Sequence, residues 1–356
     1  MKNQLVITGI GMVSAIGHDV ETSCSSFRAG IVRPSDLPFL ILDESEVEEV
    51  PVVGYSIPRI SAGYEGVALY LRIASFALND LLRNGNLFDM PGSFWQNTGL
   101  FICISVTRND PAGIIDELIV SELPNKIISS VFPALPINQC WIIQTGHASV
   151  IQAVSQAKNY IAERIIKNAV VLGIDSLTNE ASVEYYHDLG CIKTIHNITG
   201  FIPGEAGASF FIETEQDAIK RAACIKATVG QCATGFEKHR LTDEFIKSGR
   251  SLAEVMINVM KDNEDINTVY CDLNGENSRA VEWGNALLNV KYHLKTLPDN
   301  TILPAECFGD TGAASGAIAI CAAVQSYQRN YALSKSTLIC SRSEEGNVAA
   351  MIISQY

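Results

Sequence analysis

The chain has 356 residues, 47% hydrophobic and 18% charged, with a net charge of −13. That balance supplies a large core and argues against disorder, while the negative charge argues against a nucleic-acid surface and against adhesion to anionic membranes. No apolar run reaches the length of a membrane span, and the N-terminus enters a strand pattern at once without the features of a secretory signal, so a cytoplasmic protein is expected. The ten cysteines are scattered through apolar segments without C-x-x-C pairs and read as free thiols. The six histidines show no metal-ligand spacing, so neither a metal nor a cofactor is expected.

In chain order, Leu5 to Gly11 reads as a buried strand ending at glycines, and Asp19 to Ala29 as a short helix. Gly9-x-Gly11-x-x-Ser14 invites a dinucleotide-binding reading, but the third glycine and the acidic residue after a second strand are missing. Structural glycines in a tight turn are the expectation. Residues 31–63, with their prolines and the acidic run from Asp43 to Glu49, read as a solvated connecting segment. Val67 to Leu82 forms a helix apolar on most of its circumference and therefore covered on both sides. Leu100 to Ser105 is a strand, and Ala112 to Leu123 a further helix.

Next comes the stretch on which the chain is organised. Pro136 to Ile142 is extended and turns through Ile143-Gln144-Thr145-Gly146 into a buried helix that runs to Ile161. A strand turning sharply into a buried helix N-terminus is a place where α/β enzymes mount a nucleophile, because the free N–H groups and the helix dipole stabilise a thiolate or an oxyanion. Strand 169–174 follows, then a polar stretch at 178–198 and the strands 208–213 and 225–230. Helix 252–260, strand 268–273, helices 281–292 and 313–327, and strands 336–340 and 348–353 complete the pattern. The strand–helix order occurs twice. Two related α/β halves, 1–214 and 215–356, are expected, with helices 144–161 and 313–327 side by side at the centre.

Three segments carry a resemblance. Val6-Ile7-Thr8-Gly9-Ile10-Gly11-Met12-Val13-Ser14-Ala15-Ile16-Gly17 resembles the opening of β-ketoacyl-acyl-carrier-protein synthases. Gly200-Phe201-Ile202-Pro203-Gly204-Glu205-Ala206-Gly207-Ala208 is similar to that family's Gly-Phe-x-x-Gly-Glu-Gly-Ala-Gly segment, with Ala206 for a glycine. Gly309-Asp310-Thr311-Gly312-Ala313-Ala314-Ser315-Gly316-Ala317 is similar to its Gly-His-x-x-Gly-Ala-Ala-Gly-Ala turn. The resemblance spans the whole chain and implies the thiolase-like fold, two duplicated α/β halves in a five-layer αβαβα stack.

The resemblance also implies a nucleophilic Cys and two His donors, and this chain departs at each. An ungapped match puts Ile143 at the Cys, Asn274 at the first His and Asp310 at the second. Ala305 stands where the family has a lysine, and Glu344 at the gating Phe of the C-terminal loop. The expectation is a non-condensing homologue without catalytic residues, resembling a chain-length factor. Its partner would be an active ketosynthase in a heterodimer, or a second copy in a homodimer, meeting through the strand at about Leu135 to Trp141. Carrier proteins of this system are acidic, so they would be received through the partner rather than by this acidic chain. Cys232-Ala233-Thr234-Gly235 spells the family's nucleophile tetrad but lacks the following apolar helix, and reads as coincidence. The alternative is an acyltransferase or hydrolase with altered residues, for which Cys140, His147, Asn274 and Asp310 are the candidates.

Overall fold

The structure is a computed structural model that describes residues 4–43, 48–105, 114–239, 241, 248–261, 266–294 and 297–356. Twelve strands are described: β1 (Leu5–Ser14), β2 (Ser35–Asp43), β3 (Glu48–Gly54), β4 (Thr98–Cys103), β5 (Cys140–Ile143), β6 (Asn168–Ser176), β7 (Glu205–Thr214), β8 (Ala227–Phe236), β9 (Ile266–Tyr270), β10 (Asn300–Ile302), β11 (Ser336–Arg342) and β12 (Asn347–Gln355). The helices are α1 (Val20–Arg28), α2 (Pro58–Ser61), α3 (Gly66–Asn84), α4 (Gly92–Trp95), α5 (Ile114–Val131), α6 (Ser149–Ala162), α7 (Glu180–Asp188), α8 (Glu215–Lys220), α9 (Arg250–Met260), α10 (Asn277–Leu294), α11 (Ala305–Phe308) and α12 (Ser315–Gln328).

Ten strands form one sheet in the order β10-β9-β11-β12-β8-β1-β7-β6-β4-β5. Its two ends repeat one plan. In the first, β5, β4 and β6 are parallel and β7 and β1 follow antiparallel. In the second, β10, β9 and β11 are parallel and β12 and β8 follow antiparallel. The two plans meet at β1 and β8, which share only the pairs Leu5–Val229, Val6–Thr228 and Ile7–Ala227.

Layering follows from the apolar faces. α3 and α5 cover the outer face of the first half, and α9 and α10 that of the second. Between the halves lie α6 and α12, each touching strands of both. Such helices need apolar residues all round, and in α12 every residue from Gly316 to Tyr327 is buried. The result is the five-layer αβαβα stack that the family resemblance implied. Gly9 and Gly11 lie within β1 and hold no phosphate loop. A Cβ on Gly11 would sit 2.3 Å from the carbonyl oxygen of Ala77, so the glycine is what lets α3 lie against the strand.

Several local expectations change. Residues 31–63 are not a featureless connection: β2 and β3 form an antiparallel hairpin, and Leu37, Ile41, Val50 and Val52 seal a small core with Val183 and Phe201. Alternation of apolar and polar residues in β3 supplies that face. Residues 44–47 of the acidic run lie outside the described residues. The stretch 178–198 contains α7, whose first turn is capped by Asn179 accepting from Ser182 N–H. The strand expected at 136–142 is a 3₁₀ turn, Ile137–Gln139, followed by the shorter β5. β10, three residues at a sheet edge, carries too little pattern to be read from sequence.

Candidate functional site

Both central helices begin the same way. A 3₁₀ turn, Gly146–Ala148 before α6 and Gly312–Ala314 before α12, precedes regular helix. Each turn opens on a glycine in the left-handed region, Gly146 at φ 57° and Gly312 at φ 50°. A β-carbon would be strained there, so the glycines set the sharp entry. The two turns touch, and the chemistry of the site lies between them.

His147 and Asp310 meet at this junction. His147 Nε2 lies 2.8 Å from Asp310 Oδ1, with both residues buried. Asp310 Oδ1 also accepts from Gly312 N–H at 2.8 Å, which caps the second turn. Its other oxygen accepts from Asn274 Nδ2 at 2.6 Å. The backbone of Asp310 is pinned as well: its N–H donates to Ile202 O and its carbonyl accepts from Gly204 N–H, both at 2.8 Å. The glycine-rich segment 200–208 and the turn 309–317, far apart in sequence, are thus bound to one another at the site. In the same segment Glu205 is buried and accepts from Ser61, Ile57, Ser176 and Thr178.

Around this centre runs a charged network. Asn274 Nδ2 also donates to Glu276 Oε2 at 2.8 Å, and the same oxygen accepts from Arg279 Nε at 2.8 Å. Arg279 is buried, donates through Nη1 to the carbonyl of Arg342 at 2.6 Å, and lies 3.5 Å from Asp272. Arg342 N–H in turn donates to Asp272 Oδ2 at 2.7 Å. Ser343 Oγ accepts from Ala148 N–H at 3.0 Å and donates to Thr145 O, closing the C-terminal loop onto the first turn. On the opposite side, buried Asp175 accepts from Ala313 N–H and the Tyr70 hydroxyl, each at 2.9 Å.

Burial raises the Asp310 carboxyl, but the His147 and Arg279 charges and the hydrogen bonds outweigh it and hold the group well below the usual carboxylate range. For His147, burial lowers and Asp310 raises, and the net direction is upward. The contact thus favours the charged form of each partner, the protonated imidazole and the carboxylate. Burial keeps the Glu344 carboxyl above its ordinary value, against the pull of Arg279 and His147.

Asn274 and Asp310, two of the positions expected to be degenerate, are in contact. The third, Ile143, is not with them. It ends β5, its carbonyl accepts from Ile104 N–H at 3.1 Å, and its side chain packs on the main core. The side chain at the mouth of the central helix, facing Asp310, is that of His147. The bend after β5 takes up Gln144 and Thr145 before the turn begins, so the group that reaches Asp310 lies further along the chain than the residue the ungapped match selects.

Cys103, paired with Ile143 and hydrogen-bonded to Ser149 at the start of α6, is the thiol at this junction, and burial raises it. Cys140 starts β5, half-buried, and burial pushes its thiol up to about 12. Cys232 lies on β8 opposite Met351, with its thiol pushed up to about 11 by burial. Cys271 and Cys340 line a void behind Asp310, and both are raised, Cys271 to about 12. All five thiols are raised above their ordinary value by burial, which disfavours the thiolate.

Space is scarce. The void behind Asp310 and Asn274 has about 20 Å3, and the one between His147, Tyr186 and Glu344 about 40 Å3. A single water needs roughly 10–15 Å3 by this measure, whereas a small-molecule site needs roughly 300–1,000 Å3. Each void holds a water or a few, not an acyl chain. Outside them, a wider cleft of about 370 Å3 reaches Asn274 and Ala305 from the surface past Ile198 and Leu303.

No family model matches the chain, and no curated protein matches it. Solved structures do. The complex AntDE:AntF, a type II polyketide synthase acyl-carrier protein with its ketosynthase bound to the hexaketide, superimposes with a TM-score of 0.81 at 15% identity, each chain covered in full. The ishigamide ketosynthase/chain length factor gives 0.77 at 15%, again over the full length of both. The ketosynthase from module 6 of the bacillaene synthase of Bacillus subtilis 168 gives 0.77 at 13%, covering 99% of this chain and 72% of that one. The chain thus has the ketosynthase type of thiolase fold. At these identities the likeness is one of fold, and function is argued from the site.

Proposed function

We propose that the chain is a non-condensing, chain-length-factor-like partner of an active ketosynthase, working in the cytoplasm in fatty acid, polyketide or aryl-polyene assembly. One observation carries this reading. Ile143 stands at the position the resemblance gives to the nucleophilic Cys, His147 beside it is locked to Asp310, and the thiols that border this junction, Cys103, Cys271 and Cys340, are all buried and raised. Decarboxylative condensation needs a nucleophile and donors aimed at developing negative charge. Asp310 as a carboxylate opposes such charge, and Asn274 spends its Nδ2 on Asp310 and Glu276. The small voids beside His147 also argue that an acyl chain, if present in the assembly, is held by the other subunit.

The partner surface in this reading is β5. It ends the ten-stranded sheet, pairs only with β4 among the described residues, and is half-buried along its length, with Ile137 exposed beside it. Unpaired strand edges invite another chain. A carrier protein, itself acidic, would dock on the ketosynthase subunit rather than on this chain of charge −13.

The test is co-expression with a ketosynthase encoded beside it. A stable 1:1 complex is expected, with condensing activity in the complex and none in the chain alone. Consumption of radiolabelled malonyl-carrier protein by the purified chain would refute the reading. One observation favours a second reading, a hydrolase or acyltransferase of altered chemistry: a buried imidazole–carboxylate pair beside water-sized space can act as a general base at a pH above the raised value of His147. Thioester hydrolysis by the isolated chain that is lost in H147Q would select it.

A further inference from the structure

The largest of these cavities lies away from the His147–Asp310 centre. It has about 760 Å3, lies between α1 and the end of α12, and falls in the size range of small-molecule sites. α12 spans roughly 20 Å at 1.5 Å per residue, which puts this cleft at the far end of the helix from Asp310. Its rim carries Arg28, Arg329 and Tyr331, and its floor Ser26 and Gln325.

Three features of the lining point to a ligand. The Arg28 guanidinium lies over the Tyr331 ring, 4.2 Å from its centre, and makes no ion pair or side-chain hydrogen bond with any described residue. Stacking fixes the plane of the fork and leaves its N–H edge free, the arrangement suited to a phosphate. Arg329 is held only by Glu21 at 3.2 Å, with both side chains more than half exposed, a contact that is weak and releasable. Below them, Gln325 and Ser26 are 4% and 8% exposed, yet neither side chain hydrogen-bonds a described residue. Neither belongs to the side chains whose polar atoms are sealed from solvent, so both groups open onto the cleft, where a ligand can take them up.

From this lining we propose that the α1–α12 cleft binds a phosphorylated, hydroxyl-bearing small molecule, with the phosphate on Arg28 and Arg329 and the hydroxyls on Gln325 and Ser26. The site is independent of the ketosynthase-partner reading. Glu21 is the one acidic residue of the lining, so the cleft is a locally basic spot on an acidic chain. That locality predicts a modest affinity that falls with salt.

The probes are glycerol 3-phosphate, inorganic phosphate and glycerol, titrated into the full chain by calorimetry or by amide shifts. Glycerol 3-phosphate is expected to saturate and to bind more tightly than inorganic phosphate, and glycerol not to bind. R28A, an exposed position, is expected to lower affinity for both phosphates at least tenfold, with R28K recovering only part of it. Q325L is expected to bring glycerol 3-phosphate down to the affinity of inorganic phosphate while leaving the latter unchanged, which also shows that the variant is folded. Absence of saturable binding, or binding unchanged in R28A, would overturn the assignment.

Discussion

His147 Nε2 sits 2.8 Å from Asp310 Oδ1, and through this one contact the first turns of the two central helices are joined across the duplicated halves of the molecule. The bond acts as a staple between halves whose strands meet through only three residue pairs, at β1 and β8.

Breaking the pair is therefore expected to cost stability. D310N keeps the shape, but it removes the charge facing His147 and turns one of two accepting oxygens into a donor that meets the donors of its neighbours. A loss of about 3–5 kcal/mol is expected, as for removal of one partner of a buried pair. Urea denaturation of the variant beside the parent measures it. A loss below about 1 kcal/mol would mean that the pair is no staple.

The same pair sets a pH dependence. The folded His147 lies above its ordinary 6.5, so its contribution is fully present below that value and is lost as pH rises through the folded one. Asp310 is depressed below its ordinary 3.8, so its contribution is present above that value and is lost only as pH falls through the folded one. The pair is strongest between these two ordinary values. Asp175, Asp80 and Glu344, raised chiefly by burial, also contribute most below their ordinary values and lose that contribution as pH rises through the folded ones. The difference between the parent and H147Q isolates the histidine. Denaturation midpoints from about pH 6 to about pH 8.5 should fall further in the parent than in H147Q.

Restoring a nucleophile tests what else the site lacks. H147C alone puts a thiol at a helix mouth but leaves Asp310 opposite it, so neither thioester formation nor malonyl decarboxylation is expected. The triple variant H147C/N274H/D310H supplies the donors and is expected to acquire slow acylation at position 147, seen as a mass shift of the peptide that carries it. Equal acylation of the single variant would show that Asp310 is not the obstacle.

Thiol reactivity should follow exposure. Cys224 is exposed, whereas Cys140 and Cys271, both raised to about 12, are shielded. Native-state alkylation at mildly alkaline pH is expected to mark Cys224 first, read by peptide mass. Early marking of Cys140 or Cys232 would revive them as candidate nucleophiles.

At the strand edge, I137D places a charge beside β5 at an exposed position. It is expected to leave the fold intact and to weaken the complex with the ketosynthase at least tenfold, by about 1.4 kcal/mol or more. Size-exclusion chromatography with light scattering would detect the loss, and an unchanged complex would move the interface elsewhere.

Much of this protein was legible in the chain itself. The repeated strand–helix order, the all-round apolar run of 313–327 and the three glycine-rich segments determined the layered, duplicated fold, because burial and backbone geometry are imposed locally by periodicity and by missing β-carbons. Sequence also marked Asn274 and Asp310, each within a recognisable context. Only the tertiary structure decided which side chain joins them. The ungapped match marks Ile143, while the side chain in contact with Asp310 is that of His147, and no local pattern encodes a 2.8 Å contact between residues on two different halves. The α1–α12 cleft was equally hidden, since Arg28 and Tyr331 come together only when the chain's two ends have packed.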